Sequence, residues 1–276
     1  MIARVVEVVR EAGRIIRAVQ DRGAGPLEEG PRGPVTEADR AADRYLRARL
    51  RALAPAGWLS EESADDPSRL QAGRVWVVDP LDGTKEFLQG LPEYAISVAL
   101  VEGDEAVLAV VHNPATGETW TAVRGEGASR EGNPLAVDDS EGPEVGGRST
   151  LLASRTELAT DEFVPFQDEW ALVPRGSIAY KLALVAEGRG AATLSRGPKG
   201  EWDICAGALL VEEAGGVATD VFGDPLVFNQ PFPRVRGILA GAPEAHRRLL
   251  GQVQGLPVLD RMRDAREGED PELTQG

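Results

Sequence analysis

The stretch Val75-Trp76-Val77-Val78-Asp79-Pro80-Leu81-Asp82-Gly83-Thr84-Lys85-Glu86-Phe87 constrains the chain more than any other. Its first four residues are apolar and β-branched or aromatic, and read as a buried strand. Pro80 fixes its own φ and disfavours helix at Asp79, so the chain turns where the strand ends. Asp82 follows three residues after Asp79. A turn of this kind lets both carboxylates, with the Leu81 carbonyl, face one point. Gly83 permits close approach of the backbone to a ligand. Thr84 to Leu88 reads as a helical turn whose free N–H groups suit an anion. Carboxylates beside an anion site call for a cation between them. The competing reading is an acidic turn with a capping Asp, the usual meaning of a lone Asp-Gly turn. The strand, the proline and the paired Asp weigh against it.

Around this stretch the chain alternates helical and strand patterns. Ile2, Val5, Val6, Val9, Ala12, Ile16 and Val19 recur at helical spacing, predicting a first helix that ends near Asp21-Arg22-Gly23. Residues 23–34, rich in Gly and Pro, read as a loop. Thr36 caps a second helix with Leu46, Leu50 and Leu53 on one face, and Asp39 stands at the capping-box position. Trp58-Leu59 runs into the acidic Ser60-Glu61-Glu62-Ser63. Residues 94–101, 106–112 and 119–123 predict an antiparallel sheet. Residues 138–149 are polar and Gly-rich and mark a boundary between a first half, 1–145, and a second, 146–261. In the second half we expect a strand at 151–154, a helix from Ser177 to Gly188 and a strand at 191–194. A loop at 197–200 and a small-residue helix from Trp202 to Gly215 follow. Strands near 217–220, 225–228 and 237–240 and a last helix from Pro243 complete it. Residues 262–276, charged and poor in apolar side chains, read as a mobile tail.

Composition narrows the partners. The net charge of −15 makes the chain a poor binder of nucleic acid polymers or anionic membranes. An anionic substrate then requires a local reversal of sign, which a metal supplies. The single cysteine, Cys205, excludes an internal disulfide and suits a reducing compartment. No apolar run reaches membrane-spanning length, and the N-terminus reads as an amphipathic helix rather than a secretory signal, so the expected location is the cytoplasm. Asp39, Glu61, Asp79 with Asp82, and Asp203 all lie at expected strand or helix ends. The two histidines lie outside any motif. Hard oxygen donors without imidazole or thiolate suit Mg²⁺ or Mn²⁺ and argue against zinc.

Taken together, Val35-Thr36-Glu37-Ala38-Asp39, Leu59-Ser60-Glu61-Glu62-Ser63, Trp76 to Thr84 and Trp202-Asp203-Ile204-Cys205-Ala206-Gly207 resemble the inositol monophosphatase superfamily of lithium-sensitive, magnesium-dependent phosphatases. Their order and spacing fit from the first helix to about residue 255. Leu59-Ser60-Glu61-Glu62 and Asp79 to Phe87 look most like the 3′(2′),5′-bisphosphate nucleotidases. The resemblance implies an αβαβα layered sandwich, an α+β half followed by an α/β half. It further implies that Glu61, Asp79 and the Leu81 carbonyl hold a first metal, and that Asp79, Asp82 and Asp203 hold a second. Glu61 would share a third, weaker ion. Asp39 and Thr84 would activate water, and the N–H groups of Gly83 and Thr84 would meet the phosphate, with Asp203 also on the substrate side. The implied substrate is a small phosphorylated metabolite, and a homodimer is compatible with the family.

Two departures stand out. Glu29 occupies the place where the family usually has a Lys, and the nearest basic residue is Arg32. The segment before Trp202 also differs, and Arg196 and Lys199 within it are candidates to meet a second phosphate. Aspartyl-phosphate phosphatases place two Asp one residue apart, whereas two residues separate Asp79 from Asp82. A non-catalytic phosphometabolite-binding protein on the same fold is the reading from outside enzymes.

Overall fold

The computed structural model describes residues 1–23, 25–30, 33–137 and 142–259, with residues 29, 30 and 33 described by backbone alone. Helix α1 (Ile2–Asp21) buries Val5, Val9, Ala12, Ile16 and Val19 along one stripe. A hairpin of β1 (Pro26–Gly30) and β2 (Gly33–Thr36) leads into α2 (Glu37–Leu53). Thr36 accepts from the backbone N–H groups of Ala38 (3.1 Å) and Asp39 (3.4 Å), while Asp39 Oδ2 accepts from Thr36 N at 2.7 Å. This is a complete capping box built with Asp in the reciprocal position.

A seven-stranded sheet follows in chain order: β3 (Gly57–Ser60), β4 (Arg74–Asp82), β5 (Ala95–Glu102), β6 (Glu105–His112), β7 (Thr119–Val123), β8 (Gly127–Arg130) and β9 (Asn133–Pro134). The short helix α3 (Thr84–Leu88) interrupts it after β4. The second half begins with β10 (Glu144–Val145), β11 (Arg148–Ala153), α4 (Arg155–Ala159), β12 (Ala171–Pro174) and α5 (Ile178–Ala186). It continues with β13 (Ala192–Ser195), β14 (Lys199–Gly200), α6 (Glu201–Glu213), β15 (Val217–Thr219), β16 (Arg234–Val235), β17 (Ile238–Gly241) and α7 (Pro243–Gln254). Its main sheet runs β10-β11-β13-β17-β15, with β12 also paired to β11, while β14 and β16 form a separate ribbon.

Strand alternation sorts the apolar side chains into three cores. Trp76 and Val78 of β4, with Ile96 and Val98 of β5, face α1 and α2. Val75 and Val77 point the other way, toward α5 and α6. Leu152, Ile238 and Ala240 reach the same middle layer from the second sheet. The alternate residues Leu151, Ala153 and Leu239 pack outward against Phe166, Trp170 and Leu249. The stack is therefore α1/α2, sheet, α5/α6, sheet, α7, the expected αβαβα sandwich. No helix among the described residues is long and apolar enough to cross a membrane.

Four local expectations differ from the structure. Within the loop expected at 23–34, Pro26–Gly30 pairs with Gly33–Thr36 as strands, since a two-stranded ribbon has open edges that tolerate Pro26 and Pro34. The first sheet is mixed, because β3 runs parallel to β4 with Trp58 opposite Trp76. The expected strand at 225–228 reduces to a single bridge between Thr219 and Pro225. The expected loop at 197–200 ends in the short strand β14, Lys199–Gly200, paired with Arg234–Val235. The expected tail, residues 262–276, and residues 138–141 of the expected boundary lie outside the described residues.

The middle layer depends on one close crossing. A Cβ on Gly207 of α6 would lie 2.5 Å from Leu182 Cβ of α5. Elsewhere in a helix, Gly→Ala gains up to about 1 kcal/mol. Here the clash reverses the sign, and Gly207→Ala is expected to lower the unfolding free energy by about 1–3 kcal/mol. Urea denaturation measures this, and equal or greater stability would contradict the crossing.

Candidate active site

The register of β4 against β5 explains how two carboxylates three residues apart come to share a face. Asp79 pairs with Ser97 and Asp82 with Ala95, so the Pro80-Leu81 segment carries one extra residue as a bulge. In a regular strand Asp79 and Asp82 would point to opposite faces. The bulge resets the alternation and turns both toward the middle layer. Asp79 is 1% exposed, and its Oδ1 accepts from Leu81 N at 2.8 Å. Its Oδ2 is buried without a hydrogen-bond partner.

Glu61 arrives because β3 is parallel to β4. Ser60 lies opposite Val78, and Glu61 N donates to the Val78 carbonyl at 3.4 Å, so Glu61 and Asp79 leave adjacent strands at the same end. Asp43, one turn after Asp39 on α2, accepts from Ser60 Oγ (2.7 Å) and Ser63 Oγ (3.0 Å) and holds this acidic loop. Asp203 is brought in by α6. Ser97 Oγ, beside Asp79, donates to the Trp202 carbonyl at 2.9 Å, and Asp203 Oδ2 accepts from Gly200 N at 2.9 Å. Ligand atoms of Glu61, Asp79 and Asp203 lie within 4.8 Å of one another.

Asp82 sits at the start of α5. Its Oδ2 accepts from Ser177 Oγ at 2.6 Å and from Ala179 N at 2.7 Å. Ser177 holds φ +54°, a left-handed conformation that costs a non-glycine residue about 1–3 kcal/mol. Gly83, with φ +94°, begins α3, and a Cβ there would lie 2.9 Å from the Glu93 carbonyl. Thr84 Oγ1 lies 3.2 Å from Asp39 Oδ1 and 3.1 Å from the Leu81 carbonyl. Its one proton serves only one of these acceptors at a time.

The electrostatics are those of a site short of positive charge. Burial, then the charges of Glu61, Asp82 and Asp203, push Asp79 well above the usual carboxylate range. Burial and the Asp82 charge raise Asp203 to about 6. Burial raises Asp82 too, against Ser177, Ala179 and the charges of Lys181 and Lys199. Asp39 is raised by burial and partly restored by Thr36 and Thr84. A partnerless buried oxygen among converging carboxylates fits a divalent cation, which supplies both the missing partner and the missing charge. The donor set is all oxygen, matching a hard ion.

The two candidate basic residues separate. Lys199 Nζ lies 3.7 Å from Glu157 Oε1, and its charge acts on Asp82 and Asp203. Arg196 donates to the Pro257 carbonyl beside α7, away from the cluster. Strand alternation is the reason: Ser195 points inward to Glu157, so Arg196 points out. Glu29's side chain and Arg32 lie outside the described residues. Sequence reasoning missed Lys181, a 3% exposed cation on α5 whose surroundings include Glu157, Asp82 and Glu86. The sequence marks Ser177 as a helix start but not as a partner of Asp82, and nothing in it singles out Asp43 beyond its helical spacing from Asp39.

Residues 1–257 match the inositol monophosphatase family, and the chain belongs to it. It is therefore a phosphatase. It is 42% identical over 205 residues to inositol-1-monophosphatase of Rhizobium meliloti, covering 71% of this chain and 75% of that protein. It is 30% identical over 236 residues to the 3′(2′),5′-bisphosphate nucleotidase CysQ of Aggregatibacter actinomycetemcomitans, covering 82% and 86%. The crystal structure of extragenic suppressor protein suhB from Bartonella henselae superposes with a TM-score of 0.79 at 29% identity, covering 90% of this chain and 96% of that one.

The Thr84–Asp39 contact generates a test. If the pair acts on the attacking water, Thr84→Ala lowers phosphatase turnover by about 10²–10⁴-fold and leaves divalent-cation affinity largely intact. If Thr84 only helps start α3, the variant loses about 1 kcal/mol of stability and keeps normal kinetics. Steady-state assays with a metal titration on this one variant separate the outcomes.

Proposed function

We propose that the protein is a Mg²⁺-dependent 3′(2′),5′-bisphosphate nucleotidase that converts adenosine 3′,5′-bisphosphate to AMP and phosphate. The observation that carries this reading is the pair of lysines, Lys181 and Lys199, beside the carboxylate cluster in a strongly acidic protein. One phosphate meets the cluster, and the lysines suit a second anionic group. The nucleotidase-like Leu59-Ser60 and Lys85-Glu86-Phe87 segments support it, as does the similarity to CysQ.

Glu61, Asp79 and the Leu81 carbonyl would hold one ion, and Asp79, Asp82 and Asp203 a second. Glu61 would contribute to a third, weaker site, and Mn²⁺ would substitute for Mg²⁺. Such ions lower the pKa of water and neutralise charge on the phosphoryl and leaving oxygens. Thr84 donates its proton to Asp39 and turns a lone pair to the attacking water. As that proton passes to Asp39, made more basic by burial, Thr84 takes up the proton of the water in its place. The backbone N–H groups of Gly83 and Thr84 hold the phosphoryl oxygens. Water attacks phosphorus, the P–O ester bond breaks, and the leaving oxygen takes a proton from solvent water while Asp39 returns its own to solvent, without a phosphoenzyme. Inhibition by Li⁺, with Na⁺ and K⁺ much weaker, belongs to the same reading.

A second reading is inositol-1-monophosphatase or a related sugar phosphatase acting on fructose 1,6-bisphosphate or NADP. Glu157 favours a hydroxyl-rich leaving group: it is 8% exposed, lies beside Lys199, and has one buried oxygen without a hydrogen-bond partner. A phosphate-release panel over these compounds with Mg²⁺ decides between them. Adenosine 3′,5′-bisphosphate should give the highest kcat/KM, and Lys181→Met should raise its KM at least about tenfold, the loss of one charge-assisted contact. Inositol 1-phosphate should be less affected. A preference for inositol 1-phosphate, or an unchanged KM in Lys181→Met, would overturn the nucleotidase reading and leave the phosphatase standing.

A further inference from the structure

The outer face of α1 carries a second polar cleft, on the opposite side of the first sheet from α6 and the carboxylate cluster. Arg10, Arg14 and Arg17 stand on successive turns and, with His112 and Glu131, line a cleft of about 380 Å³. In a chain of net charge −15 this is a local concentration of cations. Gly13 forms its floor, since a Cβ there would sit 2.7 Å from His112 Nε2. The imidazole is 6% exposed. Its Nδ1 lies 3.0 Å from the Glu118 carbonyl and 3.1 Å from Thr119 Oγ1. A carbonyl only accepts, so this network assigns the proton to Nδ1 and leaves Nε2 as an acceptor. Among the described residues Nε2 has no donor.

The arginines retain capacity for a ligand. Arg10 donates Nε to Thr119 Oγ1 at 3.1 Å and pairs with Glu131. Arg14 pairs with Glu11 on its own helix, and Arg17 donates to Gln20 Oε1 at 3.0 Å. Arg17 also bonds Tyr94 and lies near Asp21. The Arg10–Glu131 and Arg14–Glu11 pairs are between exposed side chains and of small net worth, and each guanidinium has five N–H donors. Burial, then the charges of Arg10 and Arg14, bring His112 down to about 4 against the hydrogen bond to the Glu118 carbonyl and the charge of Glu131, so the ring is neutral at pH 7. The cleft thus offers several cationic donors and one imidazole lone pair on a ring that is otherwise buried. Its complement is an oxyanion that still carries a proton.

We propose that this cleft is a binding site for hydrogen phosphate, the guanidinium groups donating to its bare oxygens and its P–OH donating to His112 Nε2. Sulfate has the same shape but no proton at neutral pH, so it leaves Nε2 unpaired and meets it with a lone pair. The geometry therefore discriminates between the two anions, which charge alone does not.

The test uses the full chain stripped of divalent metal with EDTA, so that the carboxylate cluster does not retain phosphate. The sequence has two histidines, and their ring NMR signals report separately. His246, bonded through Nε2 to Thr219 Oγ1 at 2.9 Å, is the internal control. Potassium phosphate, sulfate and chloride are titrated at pH 7 and constant ionic strength. The His112 signals should shift saturably with phosphate while His246 stays fixed. Sulfate should bind at least about tenfold more weakly, and Arg14→Ala should weaken phosphate by a similar factor. An unshifted His246 signal and unchanged phosphatase activity would show that the Arg14→Ala protein is folded. No saturable shift, equal response to sulfate (an adventitious ion only), or undiminished binding by Arg14→Ala would overturn the proposal.

Discussion

Mutual repulsion among Glu61, Asp79, Asp82 and Asp203 is the constraint to which the rest of the fold answers. Carboxylates brought this close, with Asp79 fully enclosed, would in isolation protonate or pull apart. The surrounding backbone prevents separation. The Pro80-Leu81 bulge fixes Asp79 and Asp82 on one face, the parallel β3 brings Glu61 alongside, and the Ser97–Trp202 hydrogen bond holds the start of α6. The site's geometry is thus imposed by sheet register and helix packing, and its charge is left for a bound cation to balance.

The two halves share this work unequally. Glu61, Asp79, Asp82, Asp39 and Thr84 come from the first sheet and its helices, while the second half contributes Asp203 and the donors that face Asp82. Ser177 and Ala179 hold the Asp82 carboxylate in place, and Lys181 and Lys199 supply nearby positive charge. Glu93 reinforces the same junction by accepting from Gly176 N at 2.8 Å and pairing with Arg155 and Arg175. The strained backbone at Ser177 is over-determined by these contacts, as expected where strain serves a site.

Much of the site was legible because its signals are local. The strand, Pro80 and the paired Asp predicted a turn with converging carboxylates, and Thr36 with Asp39 predicted the capping box that the structure contains. The middle helices and αβαβα layering followed from motifs in a known order. What could not be read depends on contacts distant in sequence. The parallel pairing of β3, the strand character of Pro26–Gly30 and Gly33–Thr36 and the burial of Lys181 are set by partners that local pattern does not name. Arg196 and Lys199 looked equivalent in sequence. The end of β13 at Ser195 turns Arg196 outward, and the pairing of β14 with β16 places Lys199.

The account's central claim is that a divalent cation compensates this cluster, and thermal unfolding of Asp79→Asn with and without Mg²⁺ tests it most directly. Without metal, the variant relieves a buried, partnerless, repelled carboxylate oxygen, and should melt at or above the wild-type temperature. With Mg²⁺, the wild type should be stabilised progressively as concentration exceeds Kd, by about 2.7 kcal/mol at a hundredfold excess. The variant should lose most of that gain. A metal-free variant clearly less stable than wild type, together with an undiminished Mg²⁺ response, would contradict the claim.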